Sequence, residues 1–340
     1  MDHYEILTDG GQGLFFERLE ELYGRTANYL HDEAEEGRQL RYVKVFLSDI
    51  ANQEVELRRS SLMTLIAPAA HTIIQQSPVS GAKIGLLLKT SSEDDGLTLQ
   101  SLRLTDDEIA NFGSYVQTVM LFEKYVALLQ AEGLTLKNHC VRTWLYVRDI
   151  DTNYDGVVKA RNDIFRQHGL TVDTHFIAST GIGGRAMGKN VCVAIDFLTA
   201  PGIQPDDILF LKALDHLNPT HEYGVAFERG VRITLPGKYE YFISGTASIN
   251  HRGEVVNVGH VTRQTERLLE NIRALLADGG ATMDDVQYFI IYLRDLADTD
   301  VVESYMQQHF PNVPRIITYA KVCRPAWLVE MECVAMKRTC

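Results

Sequence analysis

The sequence lacks the cysteine pattern of a disulfide-bonded or zinc-binding protein. Its 5 cysteines are an odd number and include no CxxC pair, so neither a disulfide framework nor a structural zinc site is expected. No apolar run approaches the roughly 18 residues that a membrane span needs. The first residues are polar and acidic, so we expect no secretory leader. Together these absences predict a protein of a reducing, cytoplasmic compartment that does not enter a membrane.

Positive charge is also scarce. The chain has 33 Lys and Arg against 45 Asp and Glu, which gives a formal net charge of −12 and argues against a nucleic-acid partner, since such binding needs a basic face. The 11 histidines form neither HxH nor HExxH, so no metal is assigned. The glycine-rich run Ser179–Arg185 lacks the GxxxxGK[ST] order of a phosphate loop, and we interpret it as a tight turn or a lid.

The sequence contains one motif that occurs three times, which we call the repeated phrase. A β-rich apolar run ends in Asp followed by an apolar residue at Tyr42–Ile50, at Thr143–Ile150 and at Phe289–Leu296. Each copy reads as a buried strand that runs into a turn. Such repetition at long intervals is a sign of a duplicated architecture.

The segments around each copy are similar as well. Apolar residues at helical spacing precede the three copies at Phe15–Leu30, Tyr115–Gln130 and Thr265–Ala277, and a further helix follows at Tyr154–Gln167 and Val301–Phe310. We therefore predict an α+β fold of three similar units with pseudo-threefold symmetry. Their expected bounds are residues 1–95, 96–203 and 204–340, because breaker-rich segments occur near the two junctions.

The last unit contains acidic, arginine and cysteine residues that could form a functional site. Strand alternation places Glu330 and Glu332 on one face, where two acids would ordinarily be solvated. Arg315 follows a proline, and its guanidinium could hold a carboxylate with two parallel hydrogen bonds or simply be a surface cation. Cys323 lies seven residues before Glu330, and a lone cysteine is most often a small buried apolar residue.

This unit resembles the RidA/YjgF family. The resemblance rests on Phe242–Gly245, Gln264–Ile272, Tyr292–Asp295, Pro314–Arg315 and Glu330–Glu332. It implies a small sheet covered by two helices, with Arg315 and Glu330 on neighbouring strands of a site between units.

Three fused units of this kind resemble the chorismatase family, to which Pro219–Gly230 and Cys323 also correspond. That resemblance implies a monomer whose active site lies between the central and C-terminal units. It implies Glu330 as the proton donor and Cys323 as a mark of members that form 3-hydroxybenzoate. The substrate-binding candidates are Arg315, Tyr223, Phe227, Arg229, Gly245 and Ala247, with Tyr154 and Arg161 from the central unit. Gly245 is expected to let the ligand approach the main chain.

The function expected from the resemblance is conversion of chorismate to 3-hydroxybenzoate, with 4-hydroxybenzoate as a further product, and pyruvate, without a cofactor. Three alternatives remain open at this point. One is hydrolysis of chorismate to a dihydroxycyclohexadienoate and pyruvate, the second is a RidA-like enamine/imine deaminase, and the third is a non-catalytic metabolite-binding protein.

Overall fold

The structure, a computed structural model, describes residues 2–339. It contains three mixed sheets, and the predicted α+β class is confirmed. We call the parts of the chain that form them the N-terminal, central and C-terminal units. Cys140, Cys192, Cys323 and Cys333 are free thiols, and Cys340 lies outside the described residues.

The elements follow one another in a similar order in each unit. The N-terminal unit consists of β1 (Asp2–Thr8), α1 (Phe15–Glu35), β2 (Gln39–Leu47), α2 (Ile50–Arg58), α3 (Ser61–Ile66), β3 (Ala70–Gln75), β4 (Ser77–Pro78) and β5 (Ile84–Ser91). The central unit consists of β6 (Thr98–Leu102), α4 (Asp106–Ile109), α5 (Ser114–Ala131), α6 (Leu136–His139), β7 (Cys140–Val147), α7 (Ile150–Gln167), β8 (Ala178–Gly183) and β9 (Val193–Thr199). The C-terminal unit consists of β10 (Ile208–Leu211), β11 (Gly230–Leu235), β12 (Lys238–Thr246), α8 (Val261–Asp278), β13 (Val286–Leu293), α9 (Thr299–His309), β14 (Arg315–Tyr319) and β15 (Val329–Arg338).

The strand order shows that the three units share one plan. The sheets run β1-β5-β2-β3, β6-β9-β7-β8 and, within a seven-stranded sheet, β12-β15-β13-β14. In each case the last two strands pair in parallel and the other neighbours are antiparallel. The repeated phrase forms β2, β7 and β13, as predicted. The C-terminal sheet is extended by β10 and β11 on one side and by β4 of the N-terminal unit on the other.

Helices cover one face of each sheet because their apolar residues recur every three or four positions. On α8, for example, Leu268, Leu269, Ile272, Leu275 and Leu276 are buried on one face. None of the helices within residues 2–339 is both long and apolar enough to cross a membrane.

The opposite faces of the three sheets meet one another. Along β2, Val43, Val45 and Leu47 belong to the core of the N-terminal unit. Lys44 instead lies over the ring of Tyr146 of the central unit, and Phe46 belongs to the core that the central and C-terminal units share. Strand alternation therefore sends every second side chain of the repeated phrase towards the neighbouring units. Functional groups from different units can meet there.

Candidate active site

A cavity lies between the central and C-terminal units. Its lining includes nine of the ten residues proposed from the sequence, namely Tyr154, Arg161, Tyr223, Phe227, Arg229, Gly245, Ala247, Cys323 and Glu330. It also includes Ser179, Gly181, Val225, Ile249, Arg324 and Trp327. We call this space the active cavity.

Glu330 is the acid of the active cavity. It lies on β15 opposite Tyr292 of β13 and is 4% exposed. Burial in the protein, with a contribution from the neighbouring Glu332, raises the pKa of this carboxyl to about 8, although Arg142 and Arg229 act in the opposite direction. At neutral pH the group therefore carries a proton that it can donate.

Gly245 leaves room for that carboxyl group. A Cβ atom at this position would collide with Glu330 and would lie 3.0 Å from Cγ2 of Thr180. The glycine was expected to admit a ligand to the main chain. In the structure the carboxyl of Glu330 itself lies against it, so any side chain here would displace the acid.

Arginine side chains line the active cavity from both units. Arg161 on α7 is 2% exposed, and its Nε and Nη2 have no hydrogen-bond partner within residues 2–339. Arg229 donates from Nη2 to the main-chain oxygen of Asn218 at 3.0 Å, but its Nε is likewise unpartnered. Burial lowers the pKa of both guanidinium groups, which nevertheless stay cationic because arginine does not lose its proton in proteins. Buried unpartnered donors of this kind suit an anionic ligand.

Aromatic rings hold these cations in place. The guanidinium carbon of Arg229 lies 5.5 Å from the ring centre of Tyr223 and 5.4 Å from that of Phe227. Arg161 lies 5.8 Å from Phe227, and Arg324 lies 4.9 Å from Tyr223. Such contacts favour a cation that has lost its water. The loop that contains Tyr223 and Phe227 therefore helps to orient the arginines as well as to cover the cavity.

Cys323 and Tyr154 face each other across the unit boundary. Burial, together with nearby Glu330, raises the pKa of the Cys323 thiol to about 12. Burial and nearby Cys323 also raise the pKa of the Tyr154 hydroxyl. Both groups are therefore protonated at neutral pH, and Cys323 is not poised as a thiolate nucleophile.

A buried ion pair connects the two units next to the cavity. Glu332, which shares a face of β15 with Glu330, accepts hydrogen bonds from Nη2 of Arg142 and Nε1 of Trp144, each at 2.9 Å. Thr180 also donates to Glu332, while Gly245 donates its N–H to Thr180 at 2.8 Å. The sequence pattern put both acids on one face correctly, but both are buried rather than solvated.

Arg315 does not line the active cavity, so the sequence-based placement of this residue was wrong. It begins β14, and its guanidinium ion-pairs with Glu303 at 2.6 Å and hydrogen-bonds Gln307 on α9. The physical reason is the direction that β14 faces: it pairs with β4 of the N-terminal unit, whereas the cavity is closed by β8 of the central unit. The expectation that Arg315 and Glu330 lie on neighbouring strands was also wrong, because β13 lies between β14 and β15. The interval between the two residues in the sequence does not show which strand or unit each one faces.

Several lining residues were missed by the sequence analysis. Ser179 and Gly181 lie in β8, so the interpretation of the run Ser179–Arg185 as a turn or lid was wrong for Ser179–Gly183. Gly181 packs against Tyr154, whose Cε2 would be 2.9 Å from an added Cβ. Arg324 adjoins Cys323, and that adjacency was the available signal. Trp327, whose Nε1 is buried without a partner in the described residues, carried no distinctive signal.

A cluster of three acids outside the active cavity has the geometry of a metal site. Asp2, Asp95 and Glu240 bring their oxygens within 4.8 Å of one another. However, Nζ of Lys89 lies 2.7 Å from Asp95 and 3.3 Å from Glu240, and Nζ of Lys238 lies 3.2 Å from Glu240. Two ammonium groups thus already neutralise these carboxylates, and we assign no metal to them.

The fold and the cavity define the class of protein. Over 98% of both chains, the structure is similar to the crystal structure of a chorismatase, with a TM-score of 0.68 and 18% sequence identity. The protein therefore has the chorismatase fold, in which RidA-like units each cover about a third of the chain.

Sequence comparison identifies the family through the C-terminal unit. Residues 236–337 match the family model of endoribonuclease L-PSP. The 3-aminoacrylate deaminase RutC of Acinetobacter baylyi is 30% identical over 96 residues, which are 28% of this chain and 76% of that protein. A RutC family protein of Pyrococcus abyssi is 33% identical over 99 residues, 28% of this chain and 77% of that protein. The chain belongs to this RutC and L-PSP family, the RidA/YjgF family of the sequence analysis.

Proposed function

We propose that the protein is a chorismatase that converts chorismate to 3-hydroxybenzoate, together with 4-hydroxybenzoate, and pyruvate without a cofactor. The observation that carries this proposal is the pairing of a protonated Glu330 with cationic Arg161 and Arg229 in one cavity. Chorismate has two carboxylates and an enol ether, so it needs cations to bind and an acid to react. The full-length similarity to a chorismatase supports the same assignment.

In this mechanism Glu330 protonates the methylene carbon of the enolpyruvyl ether, which creates an oxocarbenium-like centre. The guanidinium groups of Arg161 and Arg229 hold the carboxylates and thereby orient the ether towards the acid. Loss of pyruvate and rearrangement of the ring then give hydroxybenzoate. The atoms of hydroxybenzoate and pyruvate together equal those of chorismate, so this route consumes no water.

We infer a role for Cys323 in the choice of product. Its neutral thiol lies in the cavity with Glu330 and Tyr154, and the resemblance to 3-hydroxybenzoate-forming chorismatases supports this role. In the alternative hydrolytic route, water attacks the oxocarbenium centre and a dihydroxycyclohexadienoate leaves with pyruvate. The deaminase alternative relied on Arg315, and the position of this residue outside the cavity does not favour it.

The decisive assay incubates the purified protein with chorismate, measures pyruvate, and separates the aromatic products by chromatography. Release of pyruvate with hydroxybenzoate is expected, and its absence would refute the proposal. A product without an aromatic ring would indicate the hydrolytic route instead. Glu330→Gln should stop turnover while Arg315→Gln, which alters a guanidinium outside the cavity, serves as the matched control. We also propose that the protein is cytoplasmic and that it acts as a monomer. Light scattering of the purified chain would test the monomeric state.

A further inference from the structure

The three units create three equivalent interfaces, and strand register shows which residues correspond. In each unit, the residue six positions before the shared Asp of the repeated phrase pairs with one residue of the parallel strand. This paired residue is His71 in β3, Ser179 in β8 and Arg315 in β14. His71 and Arg315 are therefore the counterparts of Ser179, which lines the active cavity.

The same register identifies the counterparts of the catalytic acid. In each unit, the residue three positions before the shared Asp pairs with one residue of the antiparallel strand. This paired residue is Gly85 in β5, Ala194 in β9 and Glu330 in β15. Each of the two other interfaces thus has a residue without a carboxyl group where the active cavity has its proton donor. Neither can carry out the acid-dependent step proposed for Glu330.

The interface between the C-terminal and N-terminal units is filled. At Gly85, an added Cβ would lie 2.9 Å from Cδ1 of Ile316. Arg315 is held by α9, and β4 covers the edge of β14. This interface leaves no space at the position that corresponds to the catalytic acid.

The interface between the N-terminal and central units is open. A groove of about 750 Å³ lies there, which we call the side groove. It is lined by parts of α2, β3 and β6 and by the segment between β8 and β9. Glu54, five residues after Asp49, is the counterpart of Tyr154, five residues after Asp149. His71 and Ile73 are the counterparts of Ser179 and Gly181.

Two further counterparts set the chemistry of the side groove. The main chain of Gln75 hydrogen-bonds Arg185, and the main chain of its counterpart Gly183 hydrogen-bonds Lys321. Met187 and Cys323 each lie two residues after these partners, so Met187 is the counterpart of Cys323. Leu102 pairs with Ile195, and Thr246 pairs with the equivalent residue Met331. The next residues along the chain therefore correspond, and Arg103 is the counterpart of Ala247. Methionine thus replaces the thiol and a cation is added to the wall, while Ala194, the counterpart of the acid, is buried and does not line the groove.

We propose that the side groove is a second ligand site, which binds a small aromatic carboxylate and does not convert it. The existence of the site follows from the register and the open space. The choice of an aromatic carboxylate rests on the proposed function, because hydroxybenzoate would be the product made at the neighbouring interface. Ile73, Leu99 and Met187 supply an apolar wall for the ring.

Two arginines of the side groove offer N–H groups to a carboxylate. Arg103 uses Nη1 to donate to Asp196 at 2.8 Å, but its Nη2 has no partner in the described part of the chain. Arg58 is half exposed and pairs only through one side of its guanidinium with Glu54. The carboxylate of Asp106 already accepts the N–H groups of Lys189 and Asn190, each at 2.8 Å. Each arginine therefore keeps N–H groups that its paired acid does not use.

One labelled sample can report on both sites. The chain has 8 methionines and 2 tryptophans. The methyl group of Met187, which is 37% exposed, reports on the side groove, and the indole N–H of Trp327 reports on the active cavity. Protein labelled with ¹³C at the methionine methyl and ¹⁵N at the tryptophan is titrated with 3-hydroxybenzoate. Met187→Leu and Trp327→Phe assign the two signals.

We expect the Met187 signal to shift and to saturate, and neutral benzamide to leave it unmoved. Arg58→Gln and Arg103→Gln should each weaken the response of Met187 about tenfold or more, since each removes a charged hydrogen bond, while the Trp327 signal responds as before. Arg58 is half exposed, so its variant keeps the fold. No saturable shift of Met187, or an equal shift with benzamide, would overturn the proposal. A Met187 shift in a protein that releases no pyruvate from chorismate would retain the second site and reject the chorismatase assignment.

Discussion

Replacement of Glu330 by glutamine should make the protein more stable at alkaline pH while it removes the proton donor. In the folded protein, burial and the neighbouring Glu332 raise the pKa of Glu330 from 4.5 to about 8. In the unfolded chain the group has its ordinary pKa. Between these two values the folded state keeps a proton that the unfolded state releases, so unfolding becomes easier as the pH rises.

The size of the effect follows from the two pKa values. Each pH unit between about 4.5 and 8 lowers the free energy of unfolding by about 1.4 kcal/mol on account of this group. Over roughly 3.5 units the destabilisation reaches at most about 5 kcal/mol, which is fully present above pH 8 and absent below pH 4.5. Glutamine has no proton to lose there, so Glu330→Gln lacks this pH dependence.

Urea denaturation of both proteins at about pH 5, 6, 7, 8 and 9 tests the reasoning. The difference in free energy of unfolding between Glu330→Gln and the parent should grow with pH and level off above about pH 8. A difference that does not change with pH would show that Glu330 is ionised in the folded protein, and would refute the acid role. Glu332→Gln changes the other acid on the same face of β15, and because Glu332 helps to raise the pKa of Glu330, this variant should show a weaker pH dependence. It should destabilise by about 3–5 kcal/mol because it leaves Arg142 buried without its partner.

Three further predictions concern activity towards chorismate. Gly245→Ala should reduce kcat by about a hundredfold or more, because the added Cβ displaces the Glu330 carboxyl; normal kcat would mean that the acid acts from another position. Cys323→Ala should lower the fraction of 3-hydroxybenzoate measured by chromatography while pyruvate release continues, and an unchanged product ratio would make Cys323 a packing residue. The rate of pyruvate release should fall as pH rises through about 8, where Glu330 loses its proton, and a rate that is constant from about pH 7 to 9 would contradict that assignment.

Much of the local structure could be predicted from the sequence, because it depends on short-range periodicity. The three copies of the repeated phrase became β2, β7 and β13, and the helices began and ended within a few residues of their expected bounds. Alternation along β15 correctly placed Glu330 and Glu332 on one face. These features need only the periods of a strand and a helix.

The partners of each strand could not be predicted in this way. Arg315 and Glu330 lie on neighbouring parts of the chain, yet β14 faces the N-terminal unit and β15 contributes its acid to a cavity closed by β8. The ion pair of Arg142 with Glu332 joins residues that are 190 positions apart. No period along one strand contains that information.

The sequence by itself therefore determined the α+β class and the threefold repetition, and its resemblance to the chorismatase family pointed to Glu330 as the candidate acid. Only the tertiary structure decided that one interface holds a buried Glu330 with unpartnered arginines, that a second is open without an acid, and that the third is filled by Ile316. The physical reason is that equivalent strands have equivalent hydrogen bonds, but their reactivity depends on which side chains the neighbouring unit brings against them. Desolvation of Glu330, and with it the proton available at neutral pH, arises from that contact between units.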